Sequence, residues 1–202
     1  MKAHDYYYTI DKTASEEFKD RGSRFIAFAH PVGSLEAFKK NLLELKKLHP
    51  KAVHHCFAYR LGLSMDNFRV SDDGEPSGTA GRPILGQIDS RKLTNTAIIV
   101  VRYFGGTLLG VQGLINAYKT ASALVLQTIP VIQKTIEITY SVQFDYTQVN
   151  DVMQVLKQAN CTIIKQDFQL FSTVVVGIPG KRLEEVLHRL KGLRNVEMSK
   201  IF

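Results

Sequence analysis

The sequence predicts an α/β (α+β) chain of two domains, and three observations predict it. Apolar runs of strand character alternate with stretches whose apolar residues recur at helical spacing. From residue 135 onward the pattern reads strand, helix, strand, strand, helix, strand. Pro130 interrupts the pattern just ahead of that stretch and sets a boundary between residues 1–134 and 135–202. A chain of 202 residues is long enough to bury two such cores.

The elements of the first domain follow in order. "SRFIAFAHPV" (23–32) is an apolar strand. Ser34 stands where a helix cap is needed, and Leu35, Phe38, Leu42 and Leu45 then form an apolar stripe. Lys39, Lys40, Lys46 and Lys47 lie on or near the exposed side of that helix, as a solvated face or a phosphate-contacting one. "AVHHCFAYRLG" (52–62) is the next strand and "NFRV" (67–70) a shorter one. A helix over "RPILGQI" should begin near Gly81, because Pro83 is tolerated only in a first helical turn. "NTAIIVVRYF" (95–104) is a buried strand, "GGTLLGVQG" a glycine-rich turn, and "LINAYKTASALVLQT" (114–128) a helix.

The second domain is more regular. In "IEITYSVQFDY", Ile136, Ile138, Tyr140, Val142 and Phe144 face one way and polar residues the other, the mark of a half-buried strand. Val149, Val152, Met153 and Leu156 make one amphipathic helix, and Leu183, Val186, Leu187 and Leu190 another. "CTIIKQDF", "FSTVVVGI" and "NVEMSKIF" supply the remaining strands. The order βαββαβ is that of a ferredoxin-like unit. Its charges are scattered, so it reads as a packing or interaction module and leaves a protein partner possible there.

Composition excludes several classes. Hydrophobic residues are 45% and charged residues 22%, ordinary globular values. No apolar run approaches the roughly 18 residues of a membrane span, and the amino terminus has no apolar signal core. A cytoplasmic protein without a membrane partner is expected. Cys56 and Cys161 form no CxxC pair, so neither a disulfide framework nor a structural zinc site is expected. The net charge is +7, and it is uneven: residues 1–134 hold 18 Lys and Arg against 12 Asp and Glu, whereas residues 135–202 hold 8 against 7. The basic first domain favours a polyanionic partner.

Two loops carry the chemistry. "SDDGEPSGTAGRP" (71–83) packs Asp72, Asp73 and Glu75 among three glycines at a helix start, with Ser77 or Thr79 available as cap. A helix amino terminus favours anions, so these acids can fill that role themselves, pair with Arg82 or Arg102, or hold a divalent cation. "RYFGGTLLGVQG" runs from strand to helix, but it is neither a Walker A loop nor GxGxxG. No HExxH or GxSxG constellation is present. His54 and Cys56 share one strand face and His55 points away, too few ligands for zinc. "RGSRFIAF" matches half of an RNA-binding signature, in the wrong order of elements.

"SRFIA", "HHCFAYR", "SDDGEPSGTAGRPIL", "VVRYFGG" and "GLINAY" occur in the order and spacing of the IMPACT family, also called the YigZ family, and the resemblance covers nearly the whole chain. It implies that the first domain has a ribosomal-protein-like α/β fold resembling domain IV of elongation factor G. The ferredoxin-like second domain then resembles domain V of that factor. Both of those domains work against ribosomal RNA, so the resemblance implies a role in translation or RNA binding. Together with the basic first domain it leads to the expectation of a non-enzymatic translation regulator with the ribosome or RNA as partner and no cofactor. The positions it carries over as ligand-binding candidates are His54, Tyr59, Arg60, Asp72, Asp73, Glu75, Ser77, Thr79, Arg82, Arg102, Tyr103, Gly105 and Gly106. The alternative is an enzyme, or a small-ligand or metal-binding protein, with its site between the two loops. Eukaryotic relatives restrain an amino-acid-sensing kinase through an additional domain, and that mechanism is not carried over. This chain departs from the family pattern at His55 (usually Asn), Leu108 (usually Lys) and Asn116 (usually Arg). If those basic groups contact phosphate in relatives, this chain binds phosphate there more weakly.

Overall fold

The computed structural model describes residues 5–64 and 66–201 and divides them into two units. One runs from Tyr7 to Lys134. The other takes the chain from Thr135 onward together with Asp5 and Tyr6.

In the first unit the order is β1 (Tyr6–Thr9), β2 (Ala14–Asp20), β3 (Ser23–Pro31), α1 (Leu35–Leu48), β4 (His54–Arg60), β5 (Phe68–Ser71), α2 (Gly81–Ser90), β6 (Thr96–Tyr103) and α3 (Gly110–Gln127). A short β7 (Ile132–Thr135) follows and pairs with β1. The main sheet has the order β2-β3-β6-β4-β5, with every neighbouring pair antiparallel. Strand β6 lies at its centre and is buried from Thr96 to Arg102, which is why its sequence is a continuous apolar run rather than an alternation.

Both faces of the sheet are covered. Cys56, Ala58, Ile98 and Val100 meet Ile84, Ile88, Leu114, Tyr118 and Val125 of α2 and α3. On the other face Tyr59, Ala97 and Ile99 meet Phe38 and Leu45 of α1. The stripe read from Leu35, Phe38, Leu42 and Leu45 is the face α1 buries, and the Ser34 hydroxyl accepts a hydrogen bond from the Ala37 amide at 3.2 Å, capping the helix as expected.

Three strands were not legible. Strand β2, "ASEEFKD", is an edge strand with alternate residues exposed, and its polar composition hides its pairing with β3. β1 and β7 are four residues each. Helix α3 also starts four residues earlier than its apolar stripe, at Gly110.

The second unit comprises β8 (Glu137–Asp145), α4 (Val149–Gln158), β9 (Thr162–Asp167), β10 (Phe171–Pro179), α5 (Leu183–Lys191) and β11 (Val196–Lys200). The sheet order β11-β8-β10-β9, antiparallel throughout, is the ferredoxin-like topology that the element order implied. Val142, Phe144, Val174, Val176 and Ile178 form its core with Val152, Leu156, Val186 and Leu190 of the two helices. Phe202, assigned to the last strand by its sequence, and the first four residues of the chain lie outside the described residues. No helix among the described residues is long and apolar enough to cross a membrane.

Candidate functional site

The site is built from Asp72 outward. Its carboxylate, rather than Ser77 or Thr79, receives the free amides at the start of α2: Gly78 at 2.9 Å, Ala80 at 3.0 Å and Gly81 at 2.8 Å. Ser77 is exposed, and Thr79 donates its hydroxyl to the Pro76 carbonyl. Burial pushes the Asp72 carboxyl upward, but the three amides together outweigh it and hold the group below its ordinary value. The anion expected at this helix start is therefore a side chain of the loop itself. A Cβ on Gly81 would stand 2.8 Å from the Ser71 amide nitrogen, so only glycine lets α2 begin against β5.

Asp73 and Glu75 turn the other way. The Asp73 carboxylate accepts from the His55 amide at 2.6 Å, and its carbonyl lies 2.7 Å from Nδ1 of His54. Glu75 is buried. Its Oε1 accepts from Arg102 at 2.5 Å and from the Tyr118 hydroxyl at 2.7 Å, and Nε2 of His54 stands 3.8 Å away. The Cys56 thiol lies 3.2 Å from the Tyr118 oxygen. Burial pushes both the Cys56 thiol and the Tyr118 hydroxyl well above their ordinary values, so both stay protonated. Of the pairings open at the outset, Glu75–Arg102 is the one formed.

This network floors a cavity of about 370 Å³ whose walls come from both loops: Glu75 and Pro76 on one side, Phe104, Leu108, Leu109 and Val111 on the other. His54, Glu75 and Arg102 are thus brought together, with Asp73 orienting His54 and Asp72 fixing the loop. Arg82 is exposed beside the Asp72 carboxylate. Gly105 and Gly106 shape the opposite loop: a Cβ on Gly105 would fall 1.9 Å from the Gly22 carbonyl carbon, and Gly106 has φ +87.

Three candidates lie elsewhere. Tyr59 is packed in the α1-side core. Arg60 is held by the Asp89 carboxylate and lies over the Phe68 ring at 5.0 Å. Tyr103 points to the α1 side, with its hydroxyl 2.8 Å from Nδ1 of His49. Tyr118, Phe104 and Val53 were missed as site residues. Tyr118 carried a signal, since a tyrosine inside an apolar helix face needs a buried partner for its hydroxyl. No group of three or more His, Cys, Asp and Glu among the described residues is arranged to hold a metal ion.

Residues 21–126 match the family model of the Impact N-terminal domain. The chain belongs to the IMPACT family. As an IMPACT chain it is 36% identical over 180 residues to "IMPACT family member YigZ" of Escherichia coli, covering 88% of this chain and 87% of that one. It is 34% identical over 153 residues to "IMPACT family member YvyE" of Bacillus subtilis, covering 76% and 70%. A crystal structure of a hypothetical protein, 30% identical, superposes with a TM-score of 0.76 over 98% of each chain. The IMPACT-model match spans both loops and every residue around the cavity.

Proposed function

We propose that this IMPACT-family chain is a non-enzymatic, translation-associated regulator that binds RNA or the ribosome through its first unit. Family membership supports the link to translation, because the resemblance relates both domains to the parts of elongation factor G that face ribosomal RNA. The observation that carries the reading is the exposed side of α1. Lys39, Lys40, Lys46 and Lys47 are all exposed along it, and Lys51 follows just beyond. The nearest carboxylate to any of them is Asp73, 3.9 Å from Lys46. Glu36 and Glu44 are exposed on the same helix and Asp73 lies beside Lys46, but four lysines against two helix acids leave α1 net positive, a charge that a phosphate backbone complements.

Arg102 has no part in that footprint. It is 5% exposed and committed to Glu75, so the phosphate contacts fall to the α1 lysines and Arg82. Binding to ribosomes and to purified ribosomal RNA across a salt series tests the proposal. Saturable binding is expected, and each phosphate contact removed by Lys→Glu substitution at 39, 40, 46 or 47 lowers the salt slope by about one. Binding no tighter than that of a control protein of equal charge would overturn it.

The cavity supports a second reading, a small-ligand site between the loops. Thermal stability with and without nucleotides and divalent cations tests that, since a ligand at 100 times its Kd adds about 2.7 kcal/mol.

A further inference from the structure

We propose that the cavity beside Glu75 and His54 receives one unpaired, amino-bearing nucleobase of the bound RNA, with guanine preferred. The assignment rests on the RNA-binding reading above and names what that reading leaves open, namely which part of the RNA is recognised beyond its phosphates.

The walls fit a flat apolar ring. At about 370 Å³ the cavity is at the small end of ligand pockets, the scale of one ring system rather than an extended molecule. Phe104, Leu108 and Val111 line it while remaining 47%, 83% and 59% exposed, so their apolar surface is unused by the core. The Arg102 guanidinium lies 5.7 Å from the centre of the Phe104 ring, behind a face on which a base can stack.

The floor fits hydrogen-bond donors. Arg102 gives its charge to Glu75, which removes the cation that a phosphate or carboxylate would need. Oε1 of Glu75 already accepts two hydrogen bonds, from Arg102 and Tyr118, whereas Oε2 accepts none among the described residues. The partner of His54 Nδ1 is a backbone carbonyl, which only accepts, so the ring proton belongs on Nδ1. In that tautomer Nε2 is left as an acceptor, and it stands 3.8 Å from Oε1 of Glu75. Glu75 Oε2 and His54 Nε2, acceptors on two neighbouring side chains at the end of an apolar slot, call for two adjacent N–H groups. Guanine offers N1–H beside its N2 amino group. Adenine and cytosine offer an amino group beside an acceptor, and uracil a single N–H between two carbonyls that the carboxylate repels.

One lysine of α1 approaches a residue that supports this slot. Lys46 of α1 is 3.9 Å from the carboxylate of Asp73, the residue whose carbonyl orients His54. The α1 lysines and the cavity lie on opposite faces of the sheet, so in this assignment the strand rounds the sheet end at Asp73 and turns an unpaired base inward to the cavity floor.

The experiment is fluorescence anisotropy of the full chain with short uridine oligoribonucleotides carrying one central G, A, C or U. The central-G strand should bind about tenfold more tightly than the all-U strand, with A and C between them. Glu75→Gln should abolish the preference. Because that variant disturbs a buried pair, Phe104→Ala and Val111→Trp, both at exposed positions, are measured beside it with their melting temperatures. Loss of the G preference with retained all-U binding and an unchanged melting temperature supports the assignment. Equal affinity for all four strands overturns the base pocket while leaving the RNA-binding reading intact. No binding of any strand sinks both. Guanosine monophosphate binding as tightly as the central-G strand makes the ligand a free nucleotide and overturns the assignment to RNA.

Discussion

Glu75 and Arg102 are a buried ion pair at the end of a central strand, with Tyr118 completing the shell of Glu75. Such a pair contributes little net stability while intact, but each half is costly without the other. Arg102→Met should therefore destabilise the first unit by about 3 to 5 kcal/mol, read from urea unfolding. The double variant Glu75→Met with Arg102→Met should recover most of that loss, since two apolar side chains replace two compensating charges. If the double variant were no more stable than the single one, the pair would not be an isolated electrostatic unit. The residue types were visible in the sequence, but the pairing was not. Asp72, Asp73 and Glu75 look equivalent in "SDDGEPSG", and only the turn of the loop sends one to a helix start, one to a strand amide and one into the core.

At the scale of elements, the loop and α2 form one device. Helix α2 lacks a side-chain cap at Ala80, and the Asp72 carboxylate supplies it from eight residues upstream. Asp72→Ala should cost about 1 to 2 kcal/mol at neutral pH, the size of a lost cap. The carboxyl sits below its ordinary value in the native state, so its contribution is present above the unfolded value of 3.8 and is lost as pH falls through the lower native value. The stability difference between wild type and Asp72→Ala should accordingly shrink as pH falls below about 5. A difference that stays constant over that range would mean that the charge of Asp72 is not what holds the helix start. Local cap rules named Ser77 and Thr79 because they assume a neighbour in sequence. The cap came instead from the turn that Gly74 and Gly78 make, with φ of +91 and +78.

At the scale of the whole molecule, the described residues hold separate cores: two on the faces of the first sheet and one in the ferredoxin-like unit. Calorimetry of the intact chain should depart from a single two-state transition. Leu156→Ala, a cavity in the second core costing about 2 to 5 kcal/mol, should lower one component and leave the other. If both components move together, the boundary near residue 134 is not an energetic one.

What the sequence determined by itself was whatever repeats along the chain. The apolar stripes placed α1, α4 and α5, the alternation placed β8, and the βαββαβ order implied a sheet order that the backbone adopts. Those features are local, because a helix or strand face must be buried whatever lies opposite. Strand β2 escaped because a polar edge strand is stabilised by its partner and not by its own pattern. The sequence named His54, Glu75 and Arg102 as candidates, but Tyr118 and the pairing within the site escaped for the same reason on a larger scale. His54, Glu75, Arg102 and Tyr118 come from four separate segments, and whether each is solvated, paired or spent on a neighbour depends on distances that only the folded sheet decides.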